Sequence, residues 1–394
     1  MSQASASPAT PLRGIGVVEI GHSVAVPYAG QILADLGATV IKIENPDGGD
    51  DARQWVPPAW HDSSAVFQTM NRNKRSACIN LKDPEGKRQV LDLIAHADIV
   101  IQNLRPGLIE RCGLDAGTVR ASHPRLIYCN LGAFGAEGPL RRSTGYDPLI
   151  QAFSGIMSVT GEAGRPPIRV GPSIIDMGSG LWCVIGILAA LAQRGRTGVG
   201  ATVDTSLFET ALAWMNIPLA TSMASGREGG KSGSETPMLA PYRAFQASDR
   251  YIVIAAGNDN LFRRMCVAVE RPNWSSDPRF LTNAARVANR VVLNALLDDL
   301  IITESERHWT ERLTAAGVPC APLQNTSEVI AHPQTQALGI LQEVGVEAMQ
   351  LVASPLRFDG IRPKIFARAP ALGADTDTAL ALIEARPPWK DPPV

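Results

Sequence analysis

The feature that most narrows the fold is a regular beat of short β-branched runs separated by helix-like stretches. "GVVEI" (16–20), "TVIKIE" (39–44), "ACINL" (77–81), "DIVIQN" (98–103) and "RLIYCNL" (125–131) each read as a buried strand. Between them lie "VPYAGQILADLG" (26–37), a helix stopping at Gly37, and a helical pattern near 84–97 with Val90, Leu91 and Ile94 on one face. A shorter helix is expected near 115–122. Alternation of this kind predicts an α/β fold with a mostly parallel, Rossmann-like sheet covered by helices on both faces.

A chain of 394 residues exceeds what one hydrophobic core usually organises, so two domains are expected. Residues 1–223 form the large one. "ASGREGGKSGSETP" (224–237) reads as a mobile linker. Beyond it, "YRAFQASDRYIVIAAGN" (242–258) predicts a hairpin turning at Ser248-Asp249, and 289–301 and 305–317 predict helices. Residues 224–330 are therefore expected to make a smaller α+β domain. The Pro-rich segment 331–394, ending in "RPPWKDPPV", is expected to be irregular and to pack back on the large domain. The apolar run "VGPSIIDMGSGLWCVIGILAAL" (170–191) is short for a bilayer span and is followed by Gln193 and Arg194, so it reads as a buried helix. "MSQASASPAT" lacks the basic and apolar regions of a signal peptide and reads as a polar tail.

Charge and cysteine usage set several classes aside. A net charge of −1 gives no electrostatic reason to expect nucleic acid or an anionic membrane as partner. The six cysteines are scattered with no close C-x-x-C pair, which points to reduced thiols in a cytoplasmic protein. No His/Asp/Glu spacing suggests a metal site. Gly14 and Gly16 precede the first strand and the turn after it reads "GHSVAVP", so the dinucleotide fingerprint that would give Glu44 a ribose-binding role is missing. A G-x-S-x-G elbow is missing too. His22 stands at the carboxyl end of the first strand, as a ligand contact or a structural hydrogen-bonder. Two basic clusters, Lys74, Arg75 and Lys82 in "NRNKRSACINLK" and Arg105 with Arg111 around "QNLRPG", flank strand ends and suit a polyanionic cofactor.

One carboxylate stands out. Asp176 lies between two isoleucines and a Met-Gly-Ser-Gly turn, where a charge is costly unless it caps a helix or does chemistry. Capping and nucleophilic roles both fit the local sequence.

Taken together, these segments resemble the class III coenzyme A transferases, the CaiB/BaiF type that includes formyl-CoA transferase and carnitine CoA-transferase. The likeness spans nearly the whole chain. It is carried by "LADLGATVIKIENPDGGD", "NRNKRSACINLKDPEGK", "VIQNLRPGLIERCGL" and "GRTGVGATVDTSLFETALAWM", then by "GNDNLFRRMC" and "DPRFLTNAARVANR". The resemblance implies an interlocked homodimer that takes an acyl-CoA and a small carboxylic acid as substrates, coenzyme A being the only cofactor and no metal being used. It implies Asp176 as the nucleophile. Ala25, Ile79, Asn80, Leu81, Lys82, Asn103, Leu104, Arg105, Arg111 and Tyr146 are the implied CoA-binding positions. Val24 and Asn45 depart from the formyl-CoA transferase pattern, and 255–260 stands where that group has a glycine-rich lid, which points away from formate and oxalate. Arg169, just ahead of Asp176, is a candidate partner for a second substrate carboxylate, as in succinyl-CoA. The related acyl-CoA racemases carry His where Tyr146 stands, and a non-catalytic CoA-binding protein is the other alternative.

Overall fold

The computed structural model describes residues 10–345 and 349–385. The chain divides into two compact units. One takes the residues up to Ile156, Arg169–Ala220 and the chain from Thr335 onward; the other takes Met157–Ile168 and Thr221–Gln334. Met157–Ile168, expected in the large domain, joins the second unit because Lys231 Nζ donates to the carbonyls of Arg165 and Pro166 and the Gly233 amide donates to Gly161.

The first unit is built on six parallel strands: β1 (Gly16–Ile20), β2 (Thr39–Glu44), β3 (Arg75–Cys78), β4 (Ile99–Gln102), β5 (Ile127–Gly132) and β6 (Thr202–Ser206). Their order is β3-β2-β1-β4-β5-β6. Winding outward in both directions from β1 opens a crevice beyond the carboxyl ends of β1 and β4. β6 escapes the sequence reading, because "TVDTS" is half exposed and lacks apolar alternation, and β3 ends at Cys78, so Ile79, Asn80 and Leu81 of the expected strand 77–81 lie beyond it.

The helices of this unit include α1 (Ala25–Asp35), α2 (Pro84–Ala95), α3 (Asp147–Phe153), α4 (Ile174–Thr197) and α5 (Leu207–Trp214), and the short one expected near 115–122 is Ala116–Ser122. On one face of the sheet, Val18, Ile20, Ile41, Ile43 and Val100 pack against Val90, Leu93 and Ile94 of α2. The opposite face carries charge. Glu19 and Lys42 are fully buried there, and Lys42 Nζ lies 3.0 Å from Glu19, 2.9 Å from Asp50 and 2.6 Å from the Gly21 carbonyl. Burial by itself would weaken proton binding at Lys42. Glu19, Asp50 and Glu44 outweigh it and hold the ammonium well above its usual pKa. Gly30 of α1 makes room for this pair, since a Cβ there would fall 1.8 Å from Glu19 Oε2. Lys74 joins the same cluster, 2.8 Å from Glu19, with Nζ donating to the Pro27 carbonyl and to Asn71. It is therefore no phosphate contact, contrary to the reading of its basic cluster.

α4 also departs from expectation. Ile175, Cys183, Ile187 and Ala190 are buried, but the outer face exposes Leu181, Trp182, Ile185 and Leu188 to 43%, 41%, 53% and 37%. Its length and apolarity would suffice to cross a membrane.

In the second unit, β7 (Tyr242–Gln246) and β8 (Tyr251–Ala255) form the expected hairpin, and β9 (Cys320–Pro322) adds to β8 antiparallel. Phe245, Ile252 and Ile254 of this sheet meet Phe262 and Met265 of α6 (Asp259–Ala268), Leu293 and Leu297 of α7 (Arg290–Ile301), and Trp309 and Leu313 of α8 (Glu306–Ala315). The 255–260 segment is the turn from β8 into α6, where the Asn258 side chain accepts the Leu261 amide as an N-cap.

The C-terminal segment is more ordered than its prolines suggest. It forms the antiparallel pair β10 (Leu341–Val344) and β11 (Met349–Val352) and the helix α9 (Thr376–Ala385). The Ser76 amide donates to Asp375 and the Cys78 amide to Thr376 Oγ1, so the free edge of β3 is covered. "RPPWKDPPV" lies outside the described residues.

Candidate active site

Asp176 sits in the first turn of α4, and Ser173, at the N-cap, makes no side-chain capping bond. The amides that open the helix are taken by a residue 29 positions earlier in sequence. Asp147 Oδ2 accepts the N–H of Ile175 at 2.7 Å and of Asp176 at 3.2 Å. Asp147 Oδ1 accepts from Gln151 Nε2 at 2.6 Å, and Gln151 Oε1 accepts the Val170 amide at 2.9 Å. The capping role that local sequence allows for Asp176 thus belongs to Asp147. Asp176 is left with a carboxylate that accepts no hydrogen bond from a described residue. Burial, with the Asp147 charge adding to it, raises its pKa from 3.8 to about 7.

Asp176 lines a cleft of about 810 Å³ with His22, Ala25, Trp55, Arg105, Tyr146 and Leu207 among its walls. A second cleft of about 790 Å³ adjoins it, lined by Glu44, Asn45, Asp50, Ile79, Asn80, Leu81 and Lys82. His22 and Leu104 are common to both. Every position implied by the resemblance except Arg111 therefore lines one of two connected hollows. Ala25, Asn103, Leu104, Arg105 and Tyr146 stand with Asp176; Ile79, Asn80, Leu81 and Lys82 line the neighbour, again with Leu104. Arg111 is exposed at the end of the short helix Leu108–Arg111 and lines neither cleft. Arg169 is exposed and donates to the carbonyls of Val170 and Gly171, so it is not aimed into the Asp176 cleft.

The loops that carry these residues are pinned at the switch point of the sheet. Asn103, just past β4, accepts the His22 amide and donates to the His22 carbonyl, both at 3.0 Å. Ser23, at a φ of 70°, gives its amide to Asp50, which is paired with Lys42. The buried cluster under α1 thereby fixes the turn "GHSV". Burial lowers the pKa of His22, with Asp50 and Asp51 opposing it and Lys42 and Arg105 adding to it. Close helix packing sets the opposite wall, since a Cβ on Gly180 of α4 would lie 2.7 Å from the Ala25 carbonyl. Among the described residues no group of His, Cys, Asp or Glu could hold a metal ion.

A carboxylate with no hydrogen-bond donor among the described residues, in a cleft joined to a second one with a lysine at its rim, suits acyl transfer from a long thioester. The sequence matches CoA-transferase family III over residues 12–376. The chain belongs to that family. A CaiB/BaiF family protein from Brucella suis is 37% identical and superposes with a TM-score of 0.86, covering 95% of this chain and 100% of its own. The acetyl-CoA:oxalate CoA-transferase of Acetobacter aceti is 38% identical over 90% of this chain and 91% of that protein. The succinate–glutarate CoA-transferase of Agrobacterium fabrum is 35% identical over 90% and 93%.

Membership makes the protein a CoA-transferase and CoA thioesters its substrates. The resemblance read from the signature stretches and the α/β fold with its parallel sheet are both borne out by these matches. Local sequence had no signal for Asp147 and Gln151 as the clamp on α4, because their partners are distant in the chain. The "YDP" at the start of α3 marks a helix start only.

Proposed function

We propose that the protein transfers CoA from a dicarboxylic acyl-CoA, such as succinyl-CoA, to a small free carboxylic acid, with Asp176 as nucleophile. One observation carries this reading: the Asp176 carboxylate stands in the cleft with no hydrogen bond from a described residue, while Asp147 takes its helix's first amides.

An oxygen of Asp176 attacks the thioester carbonyl carbon, the C–S bond breaks, and CoA leaves as thiolate from a mixed anhydride. The thiolate attacks the Asp176 carbonyl carbon, and the donor acid leaves as carboxylate from an aspartyl-CoA thioester. The acceptor carboxylate attacks that thioester and expels thiolate. Attack of the thiolate on the acceptor's carbonyl carbon then yields the new acyl-CoA and frees Asp176. Each step exchanges one acyl bond for another, so no ATP or metal is needed. Lys82 and Arg105 are the cleft-lining cations available to the CoA phosphates, Arg111, which lines neither cleft, enters by the family resemblance alone, and Tyr146 flanks the reacting thioester. Acids named for relatives, oxalate, succinate and glutarate, have two carboxylates, which supports a diacid acceptor. Oxalate returns to consideration here despite Val24 and Asn45.

Wild-type enzyme held with donor alone is expected to accumulate the aspartyl-CoA thioester. Hydroxylamine converts it to a hydroxamate and borohydride to an alcohol, both located by peptide mapping. An unmodified Asp176 peptide overturns the mechanism. Mass-spectrometric screening of donors and acceptors tests the substrate class, and exclusive use of monocarboxylates rejects it. A racemase would exchange the α-hydrogen of a 2-methylacyl-CoA in deuterium oxide; Tyr146 stands where the racemases carry His, which leads us to expect none.

The exposed apolar face of α4, with Leu149 and Phe153 exposed on α3, supports a homodimer in which a second copy covers these side chains. Light scattering should give a dimer that persists on dilution to nanomolar concentration, and a monomer at working concentration rejects it. Six free cysteines fit a cytoplasmic location.

A further inference from the structure

We infer that Asp147 is the positioning residue for Asp176: it fixes the start of the nucleophile's helix and takes the helix-opening amides that the Asp176 carboxylate would otherwise meet. The inference rests on the reading of Asp176 as nucleophile. α3 presents Asp147 and Gln151 one turn apart, both buried, and together they grip the segment entering α4 at the amides of Val170, Ile175 and Asp176. A carboxylate in the first turn of a helix ordinarily finds free N–H groups near it, which stabilise its charge and lower its nucleophilicity. Here two of those groups are already occupied by another carboxylate.

Two consequences follow from one contact. The start of α4 is fixed against α3, whose preceding residue, Tyr146, lines the same cleft. The charge of Asp147 also opposes ionisation of Asp176, adding to the larger effect of burial. The other titratable or charged side chains around the cleft are His22, Arg105 and Tyr146. Tyr28 of α1 lies against Gly180 in the next turn of α4, and Glu209 of α5 is tied to Ser206.

The test is the pH profile of kcat/KM for thioester consumption in the full-length protein. The wild type should show an acid limb near pH 7. Asp147→Asn removes the charge but sets an amide N–H₂ against Gln151 Nε2. A second variant, Asp147→Asn with Gln151→Glu, restores that hydrogen bond and moves the charge one turn away from Asp176. In both variants the acid limb should move down by roughly one pH unit, and kcat should fall by about tenfold to a hundredfold. Should the single variant fail to fold, the double variant carries the test. An acid limb that stays with the wild type, whether or not kcat falls, reduces Asp147 to a structural cap and overturns the inference. Asp176→Asn, assayed in parallel, separates the two readings. Retained activity there overturns the nucleophile itself, whereas an inactive Asp176→Asn beside an unmoved acid limb overturns only the role of Asp147.

Discussion

The two adjoining clefts share their position beyond the sheet's carboxyl edge, but they are built differently. The Asp176 cleft is walled by groups held from behind: Ala25 against Gly180 of α4, and Asp176 on a helix start clamped by Asp147 and Gln151. The neighbouring cleft relies on a turn, where Asn80 accepts the Lys82 amide and donates to Asp83, with Lys82 itself exposed. Its closest support is Gly86 of α2, where a Cβ would lie 2.1 Å from the Asn80 carbonyl oxygen. Chemistry needs a fixed, desolvated nucleophile, whereas holding a solvated polyanion needs only cations within reach. The difference predicts that damage to the first cleft appears in kcat and damage to the second in KM.

The largest effect should come from Asp176→Asn. Turnover is expected to fall by about four orders of magnitude or more, because an amide cannot form the anhydride. Steady-state assay of the folded variant checks this, and an active Asn variant would erase the distinction between the clefts. The same variant should also be more stable than wild type at pH 8. A carboxyl group whose pKa is raised on folding from 3.8 to about 7 favours the folded state while protonated. That contribution is lost as pH rises from about 4 through about 7, and it amounts to roughly 4 kcal/mol at most. Urea denaturation at pH 5 and pH 8 should show the gap between wild type and variant opening with pH; a constant gap would contradict the desolvated carboxylate.

Paired glycine substitutions sharpen the comparison. Gly180→Ala presses on the Ala25 carbonyl and should lower kcat by about tenfold to a hundredfold. Gly86→Ala displaces the Asn80 turn and should raise KM for the CoA thioester by about tenfold with kcat nearly kept. The reverse assignment of kcat and KM effects would break the comparison. Smallest are Lys82→Ala and Arg111→Ala. Each removes one exposed cation and should raise KM by less than about fivefold, an effect that shrinks in high salt. Salt-independent losses at either position would show a buried ion pair with the ligand.

Much of this arrangement is legible in the residues. The strands β1, β2, β4 and β5 follow from β-branched runs, and α1 and α2 from apolar spacing, because each buries a continuous face; β3, "RSAC", has no β-branched residue and starts two residues ahead of the expected 77–81. The hairpin at Ser248-Asp249 is equally local. β6 is not, since "TVDTS" takes its place by pairing with β5 rather than by its own pattern. Lys74 misleads in the opposite sense: in sequence it belongs to a basic cluster, but the fold buries it against Glu19.

Sequence by itself determined the alternating α/β plan, the family, and the identity of the carboxylate that heads α4. Those depend on periodicity and on residue types in a fixed order along the chain. Only the tertiary structure decided what Asp176 is free to do. Its helix is capped from residue 147, Arg169 is spent on its own loop, and the turn at His22 is held by Asn103 and Asp50. Hydrogen bonds and desolvation depend on which groups folding brings within about 3 Å, and no spacing along the chain encodes that distance.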